Sequence, residues 1–441
     1  MTALLSLALL LTSSGSALHT PHPETSDLAI AKHAGQTEIV LVSRKNSKVL
    51  SSMDHGFTWN PVAGDGLGKS EAHRIVYYEV PASGERRFII GADEGIWQYL
   101  PDTGVVQRLM TGMDPADLYI TDLAAPNPGF DGPVVATTEL GKVYFLDEST
   151  DTWVLKADTG LVDVNSVAGM VPKYDRNSVD TNEHTVMVAI RNVTITTTDE
   201  GATWTTHPQF DTPAADINAF RVSSIAFDQE YATSGLILLG RGRREIASLF
   251  DSEGELYRST DYGATFVNVQ PTGAPQTSSG IYGLLSAGQG SDGNQHYYAS
   301  LYRYPAHEDL DAGLDVFGVL HSTDGGVTWQ DHGNFQDFIQ EFSGNERTAV
   351  VRPYRRMLSF CASPDFLTDD TLWYARAEGL FTSEDLGVNW EKRRFRPAQQ
   401  IRGISSGFNH LGEVIVHGST YGSGLFRTNM DTGASDTVLG G

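Results

Sequence analysis

The chain of 441 residues holds a single cysteine, Cys361. No disulfide can form within it, so its stability has to come from packing. Basic residues are scarce, with 31 Lys+Arg against 55 Asp+Glu and a formal charge of −24. That balance excludes a general nucleic-acid binder or a membrane-surface protein, both of which need a positive field facing phosphate. Beyond the N-terminal leader no apolar run approaches the ~20 residues needed to cross a bilayer, so no stable membrane insertion is expected. Helical periodicity is hard to find anywhere. No His-x-x-x-His pair accompanies the lone cysteine, which argues against a zinc site. The glycine-rich stretch Gly288 to Gly293 lacks the Lys-Ser/Thr of a phosphate loop and reads as a turn. Nothing calls for a cofactor or a metal ion.

Glycine, by contrast, is abundant: 45 residues, about 10% where ~7% is usual. With 40% hydrophobic residues the chain can build a large core, and the composition reads as turn-rich and β-rich. At the N-terminus, Ala3 to Leu11 form an apolar run followed by small residues ending at Ser16-Ala17. This reads as a secretory signal, residues 1–17, although it lacks the basic residue usual before the apolar run. The alternative is a buried element of the mature fold. Residues 18–441 are expected to form one domain, exported or lumenal. Asn192-Val193-Thr194 is the single acceptor triplet for N-glycosylation, and its place is expected within a strand. Cys361, in the apolar segment Arg356 to Ala362, is expected to be a buried packing residue.

Internal repetition carries most of the information. The octet Ser52-Met53-Asp54-His55-Gly56-Phe57-Thr58-Trp59 recurs at Thr197 to Trp204, around Asp199. It returns at Ser259 to Phe266 around Asp261, at Ser322 to Trp329 around Asp324, and at Ser383 to Trp390 around Asp385, where Asn389 replaces threonine. Eroded copies lie at Asp102-Thr103-Gly104, Asp147 to Trp153 and Asp431-Thr432-Gly433, so the aspartates recur at intervals of 45 to 63 residues. The chemistry suits a hairpin turn: aspartate accepts backbone N–H bonds, glycine two residues on supplies a positive φ, and the Ser or Thr hydroxyl adds local bonds. The closing Trp or Phe re-enters a strand and can wedge between neighbouring repeats.

Each interval has room for about four short strands, the repeat of a propeller blade. In the seventh repeat the strands are expected at Arg356 to Ala362, Thr371 to Ala375, Gly379 to Ser383 and Asn389 to Lys392. In the second they are expected at Arg74 to Val80, Arg87 to Gly91, Ile96 to Leu100 and Val105 to Leu109. Every octet then joins strands three and four. The expected fold is all-β, one β-propeller of seven or eight blades. Eight is favoured, and seven follows if the first unit, with its first strand around Asp27 to Lys32, shares a blade with the C-terminus.

The octets resemble Asp-box (BNR) repeats, as found in sialidases, sortilin-type receptors, xyloglucan-hydrolysing propeller glycosidases and photosystem II assembly-factor propellers. The stretch Ser363 to Trp390, SPDFLTDDTLWYARAEGLFTSEDLGVNW, looks most like the sortilin and xyloglucanase type. The likeness covers roughly residues 28 to 435. It implies the propeller fold, with Asp54, Trp59, Asp199, Trp204, Asp261, Phe266, Asp324, Trp329, Asp385 and Trp390 as structural positions, and leaves the chemistry open.

Strand order predicts where a ligand sits. In an up-and-down blade the one–two and three–four turns share one face, and the two–three loops and blade connections share the other. The two longest insertions, Arg241 to Gly254 and Tyr302 to Asp315, fall in two–three loops of adjacent units, opposite the octets. Arg241, Arg243, Arg244, Arg303, Arg352 and Arg355 map to these loops and their neighbours. Two readings stay open. The arginines contact an anionic or polyhydroxylated ligand, a glycan or a protein, or they neutralise nearby carboxylates in weak surface pairs. A glycoside hydrolase is the competing function. Its carboxylates would come from Glu308, Asp309, Asp311 and Asp315, with Tyr304 as a phenol. The sialidase pattern Phe/Tyr-Arg-Ile-Pro is matched only in part, by Tyr302-Arg303-Tyr304-Pro305 in a loop.

Overall fold

The computed structural model describes residues 25–33, 36–43, 48–54, 58–64, 66–126, 132–160, 171–174, 185–190, 193–207, 220–243, 255–269, 279–303, 317–332, 359–376, 379–393, 401–408, 412–420, 425–430 and 435–437. Their strands form sheets, lettered A to H here in chain order, each an up-and-down run of consecutive antiparallel strands. Seven of the sheets have four strands. Sheet B has five, because Ala63–Gly64 adds in parallel to its edge strand Val105–Arg108. Sheet A starts with Thr25–His33 and sheet H with Ile401–Phe408, and each is completed by its own strands. The first unit therefore does not borrow a strand from the last.

The sheets stand as blades in a ring. The first strand of each sheet touches the first strand of the next, and the ring closes where Thr25–His33 meets Ile401–Phe408 and Val414–Thr420. Burial on both faces explains the sequence of the inner strands. In Glu85–Ala92, the second strand of sheet B, Phe88, Ile90 and Ala92 pack with Ala29, Ala31 and Val49 of sheet A. The alternate Ile89 packs with Ile120, Leu123 and Ala136 of sheet C. Side chains alternate along a strand, so a strand between two neighbours is apolar throughout. The same pattern repeats around the ring, with one apolar cluster between each pair of successive sheets from A/B to G/H.

The expected strands of the seventh repeat appear as Ser359–Ala362, Leu372–Arg376, Gly379–Ser383 and Glu391–Lys392. The fourth is shorter than expected because Asn389 and Trp390 still belong to the turn. Two single helical turns, Tyr231–Ser234 and Phe366–Asp369, have no periodicity long enough to read from sequence. They anchor through buried Tyr231 and Phe366 and end at left-handed Gly235 and Asp370.

Candidate functional site

The octets all join the third and fourth strands of their sheets, and their geometry is nearly invariant. In the fourth copy Asp324 Oδ1 accepts from the Ser322 hydroxyl at 2.8 Å and from the Thr328 amide at 2.9 Å, while its Oδ2 accepts from the Thr328 hydroxyl at 2.6 Å. The Ser322 hydroxyl oxygen in turn accepts from the Gly326 amide at 2.9 Å. Asn389 keeps the pattern, since its Nδ2 donates to Asp385 Oδ2 at 2.6 Å where threonine donates elsewhere. Against partial desolvation these donors hold the carboxyls of Asp261, Asp324 and Asp385 below the usual carboxylate range, and that of Asp199 is brought down to about 2, chiefly by the Thr203 hydroxyl. The residue before the glycine also has positive φ: Glu200 (54°), Tyr262 (60°), Gly325 (70°) and Leu386 (59°). Two such residues in a row make the turn that suits a tight hairpin. The closing aromatics reach the preceding sheet. Trp204 Nε1 donates to Lys156 O at 3.0 Å, and Trp329 packs with Leu236 and Leu238. These turns are a folding device with their polar groups bonded inward.

The other face starts from the innermost strands. Six first strands carry a bulge near their start, just before Asp27, Arg74, Asp122, Ser224, Gly283 and Gly403. Since each first strand enters from a blade connection, these positions lie toward the face opposite the octets. One arc of the ring, sheets A to C, is charged there, and sheets E, F and H carry the small residues Ser224, Gly283 and Gly403. Arg74 Nε donates to Asp122 Oδ1 at 2.7 Å. Asp27 accepts from the amides of Leu28 at 3.0 Å and Ile75 at 3.2 Å, so it ties sheet A to sheet B. Burial pushes the Asp27 carboxyl up to about 6, against the pull of Arg74 and the two amides. Asp122 holds the Arg74 guanidinium firmly protonated. A carboxyl, a guanidinium and a second carboxyl on successive strands offer both donors and acceptors to a polar ligand at the mouth of the ring.

The structure brings the two insertions to adjacent sheets. Ile237–Arg243 of sheet E and Gln295–Arg303 of sheet F are both second strands, and each leads into a long connection, 244–254 and 304–316. Arg241 is not at the surface. It is 3% exposed, donates from Nη1 to the Tyr257 hydroxyl at 3.2 Å and lies over that ring. Arg243 and Arg303 are the last residues of their strands. Arg244, Arg352, Arg355, Tyr304, Glu308, Asp309, Asp311 and Asp315 lie outside the described residues, as do residues 1–24 with the leader. No group of three or more potential metal ligands is brought together among the described residues.

Three features escaped the sequence reading. The axial charges Asp27, Arg74 and Asp122 lie one repeat apart, which alignment of the repeats would have exposed. A chain running from exposed Asp292 to the buried His296 and His321 has no such signal. Cys361 is half-buried, packs against the apolar cluster between sheets G and H as expected, and also makes a polar contact. Its thiol donates to Ser406 Oγ at 2.9 Å, and burial pushes the thiol up in pKa, so it is held as a neutral thiol. The neighbouring Gly403-Ile404-Ser405-Ser406-Gly407 has the spacing of a nucleophile elbow, yet it lies inside the extended strand Ile401–Phe408. An elbow needs a strand-to-helix turn. Thr194 of the glycosylation triplet is fully buried in its strand.

No family model matches the chain, and no curated protein matches it in sequence. Among solved structures it is similar to the Dos1 propeller, at a TM-score of 0.55 and 10% identity over 92% of either chain. It is also similar to YCF48 from Cyanidioschyzon merolae, at a TM-score of 0.42 and 17% identity, covering 71% of this chain and 86% of that one. An ancestral GH74 enzyme matches at a TM-score of 0.40 and 12% identity, covering 95% of this chain, which spans 62% of that enzyme's length. Identity this low speaks for architecture alone. The ring of up-and-down sheets and the likeness to the Dos1 propeller define the class: the chain is a β-propeller. Among the described residues no helix is long and apolar enough to cross a membrane.

Proposed function

We propose that this protein is an exported ligand-recognition propeller of the Asp-box kind, which binds a glycan or a protein on the face opposite the octets. The observation that carries the reading is the asymmetry of that face. A charged arc, Asp27, Arg74 and Asp122, lies at the mouth of the ring. Across the ring the second strands of sheets E and F each end in an arginine, Arg243 or Arg303, at the point where the two long insertions of the sequence begin. Long connections on a rigid scaffold are where binding residues collect. Guanidinium and carboxylate groups together suit hydroxyl-rich or anionic surfaces. The octet face supports no such reading, because its carboxylates are consumed by their own turns. Export rests on the apolar leader before Ala17.

The test is retention of the purified protein on a glycan array, run beside a panel of chromogenic glycosides. Replacing Arg243, Arg244 and Arg303 together by serine is expected to weaken retention at least about tenfold, the size of one lost charged hydrogen bond. Unchanged retention would overturn the reading. Turnover of a glycoside would put a hydrolase in its place, with its acid and base sought at Glu308, Asp309, Asp311, Asp315 and Tyr304.

A further inference from the structure

Sheets F and G meet around two buried imidazoles. His296, on the second strand of sheet F, and His321, on its third strand Phe317–Ser322, are 1% and 8% exposed. His296 Nδ1 lies 2.8 Å from His321 Nε2, and His296 Nε2 lies 2.9 Å from Asp292 Oδ1, in the turn that precedes the second strand. The three groups form one chain running inward from the surface. The Tyr298 ring stacks on His321 at 4.8 Å, and Phe366 of sheet G stands edge-on to His296 at 5.9 Å. The same turn ties the sheets together. Ser291 donates from its amide at 2.8 Å and its hydroxyl at 2.5 Å to Asp370, and the Tyr298 hydroxyl donates to Leu386 O at 2.9 Å. Gly290 has no room for a side chain, since a Cβ there would lie 2.8 Å from both His296 Nε2 and Leu386 Cδ2.

We propose that Asp292, His296 and His321 form an acid-operated latch between sheets F and G. The proton count follows from the donors available. Ionised Asp292 only accepts, so His296 Nε2 donates to it; neutral His296 then accepts at Nδ1, and His321 Nε2 donates. One added proton fits without rearrangement of the rings. The His321 Nε2 proton passes to His296 Nδ1 and the added proton goes to His321 Nδ1, so His296 becomes an imidazolium that donates both ways and His321, still neutral, accepts at Nε2. A second proton does not fit, because two imidazoliums would then face each other donor to donor at 2.8 Å, inside an apolar contact. That proton enters only if the rings part, and the rings part only if the turn leaves sheet G.

The surrounding charges do not relieve the conflict. On sheet F, Asp292 already serves His296, and the His332 ring stands 5.0 Å from His321 beside Asp331. On sheet G, Asp370 is engaged by Ser291 and Asp385 by its own octet. Toward sheet E, Glu230 meets the Gln295 side chain. Burial and the neighbouring imidazoles push His321 down to about 4, and Asp292 is brought down to about 2, against its partial desolvation, by the Asn294 amide and by His296. His321 thus titrates above the carboxylate that anchors the chain.

Hydrogen exchange of the full chain from pH 7 to pH 4, corrected for intrinsic exchange, tests this. Amides of residues 290–300 and 380–392 are expected to lose protection below pH 6, with an opening constant that rises about tenfold per pH unit. Residues 135–158 of sheet C are expected to stay protected. In His321→Phe the acid-dependent opening disappears, and in Asp292→Asn it begins at higher pH. Equal protection of the unmodified chain at pH 7 and pH 4, or the same acid opening in His321→Phe, would overturn the latch. If His321→Phe does not fold, the imidazole nitrogen resonances of the unmodified chain decide. His321 is expected to be neutral at pH 5, and protonation of both rings above pH 6 would overturn the proposal.

Discussion

At the scale of the residue, the octet aspartate is the unit from which the molecule is built. Asp324 gathers Ser322, Val327 and Thr328 through donors no more than four residues away, so each turn is specified locally. Asp324→Ala leaves those donors to water and is expected to lower unfolding free energy by about 1–2 kcal/mol, the range of a lost helix cap. Urea denaturation measures it. Asp324→Asn, which keeps one acceptor oxygen, is expected to lose less. Gly326 is fixed by two conditions at once: a φ of +81° and a Cβ position 2.6 Å from Leu238 Cδ2. Glu200, by contrast, holds its positive φ of 54° with a side chain, a cost the turn tolerates because its bonds over-determine the backbone.

At the scale of the element, each sheet is held by its own ladder and also by the wedge of the next sheet. Trp329 closes an octet of sheet F, donates from Nε1 to Gly326 O at 3.0 Å and packs against Leu236 and Leu238 of sheet E. Trp329→Ala is expected to cost about 3–5 kcal/mol, as other buried aromatic truncations do. Hydrogen exchange should locate the loss at the E/F contact and leave the B/C contact as before. Loss spread evenly over all sheets would mean that the wedge acts on the whole ring.

At the scale of the whole molecule, closure has to come from non-covalent contacts, since Cys361 is the only cysteine. Sheet A is both the first and the closing blade, and Asp27 on its inner strand accepts from the sheet B backbone. Its carboxyl sits near 6 in the fold against an ordinary 3.8. A raised acid binds its proton more tightly when folded, so stability is highest below about pH 4 on this account and declines as pH rises through 6. The whole decline amounts to about 3 kcal/mol at most. Asp27→Asn is expected to flatten that decline, read as Tm between pH 4.5 and 7.5. The octet carboxylates have the opposite sign: they are depressed, so their contribution is present above the ordinary value and lost as pH falls through about 2 for Asp199.

The repeat, the strand order and the place of every octet between third and fourth strands are legible in the chain alone. The physical reason is range: the bonds of an octet close within eight residues, and the alternation of a strand is written in its own side chains. The chain also placed the two insertions in adjacent two–three connections, since strand order follows from counting. Which polar groups meet emerges in the folded ring. Arg241 reads as a surface arginine from its neighbours, yet it is buried over Tyr257 because its strand is an inner one. Arg74 and Asp122 become partners by sitting on successive first strands. His296 and His321 meet because two strands of one sheet pair in a particular register, which puts Tyr298 opposite His321 and seals the imidazoles against sheet G. Contacts of that kind are set by ring closure and register, and no local pattern in the chain records them.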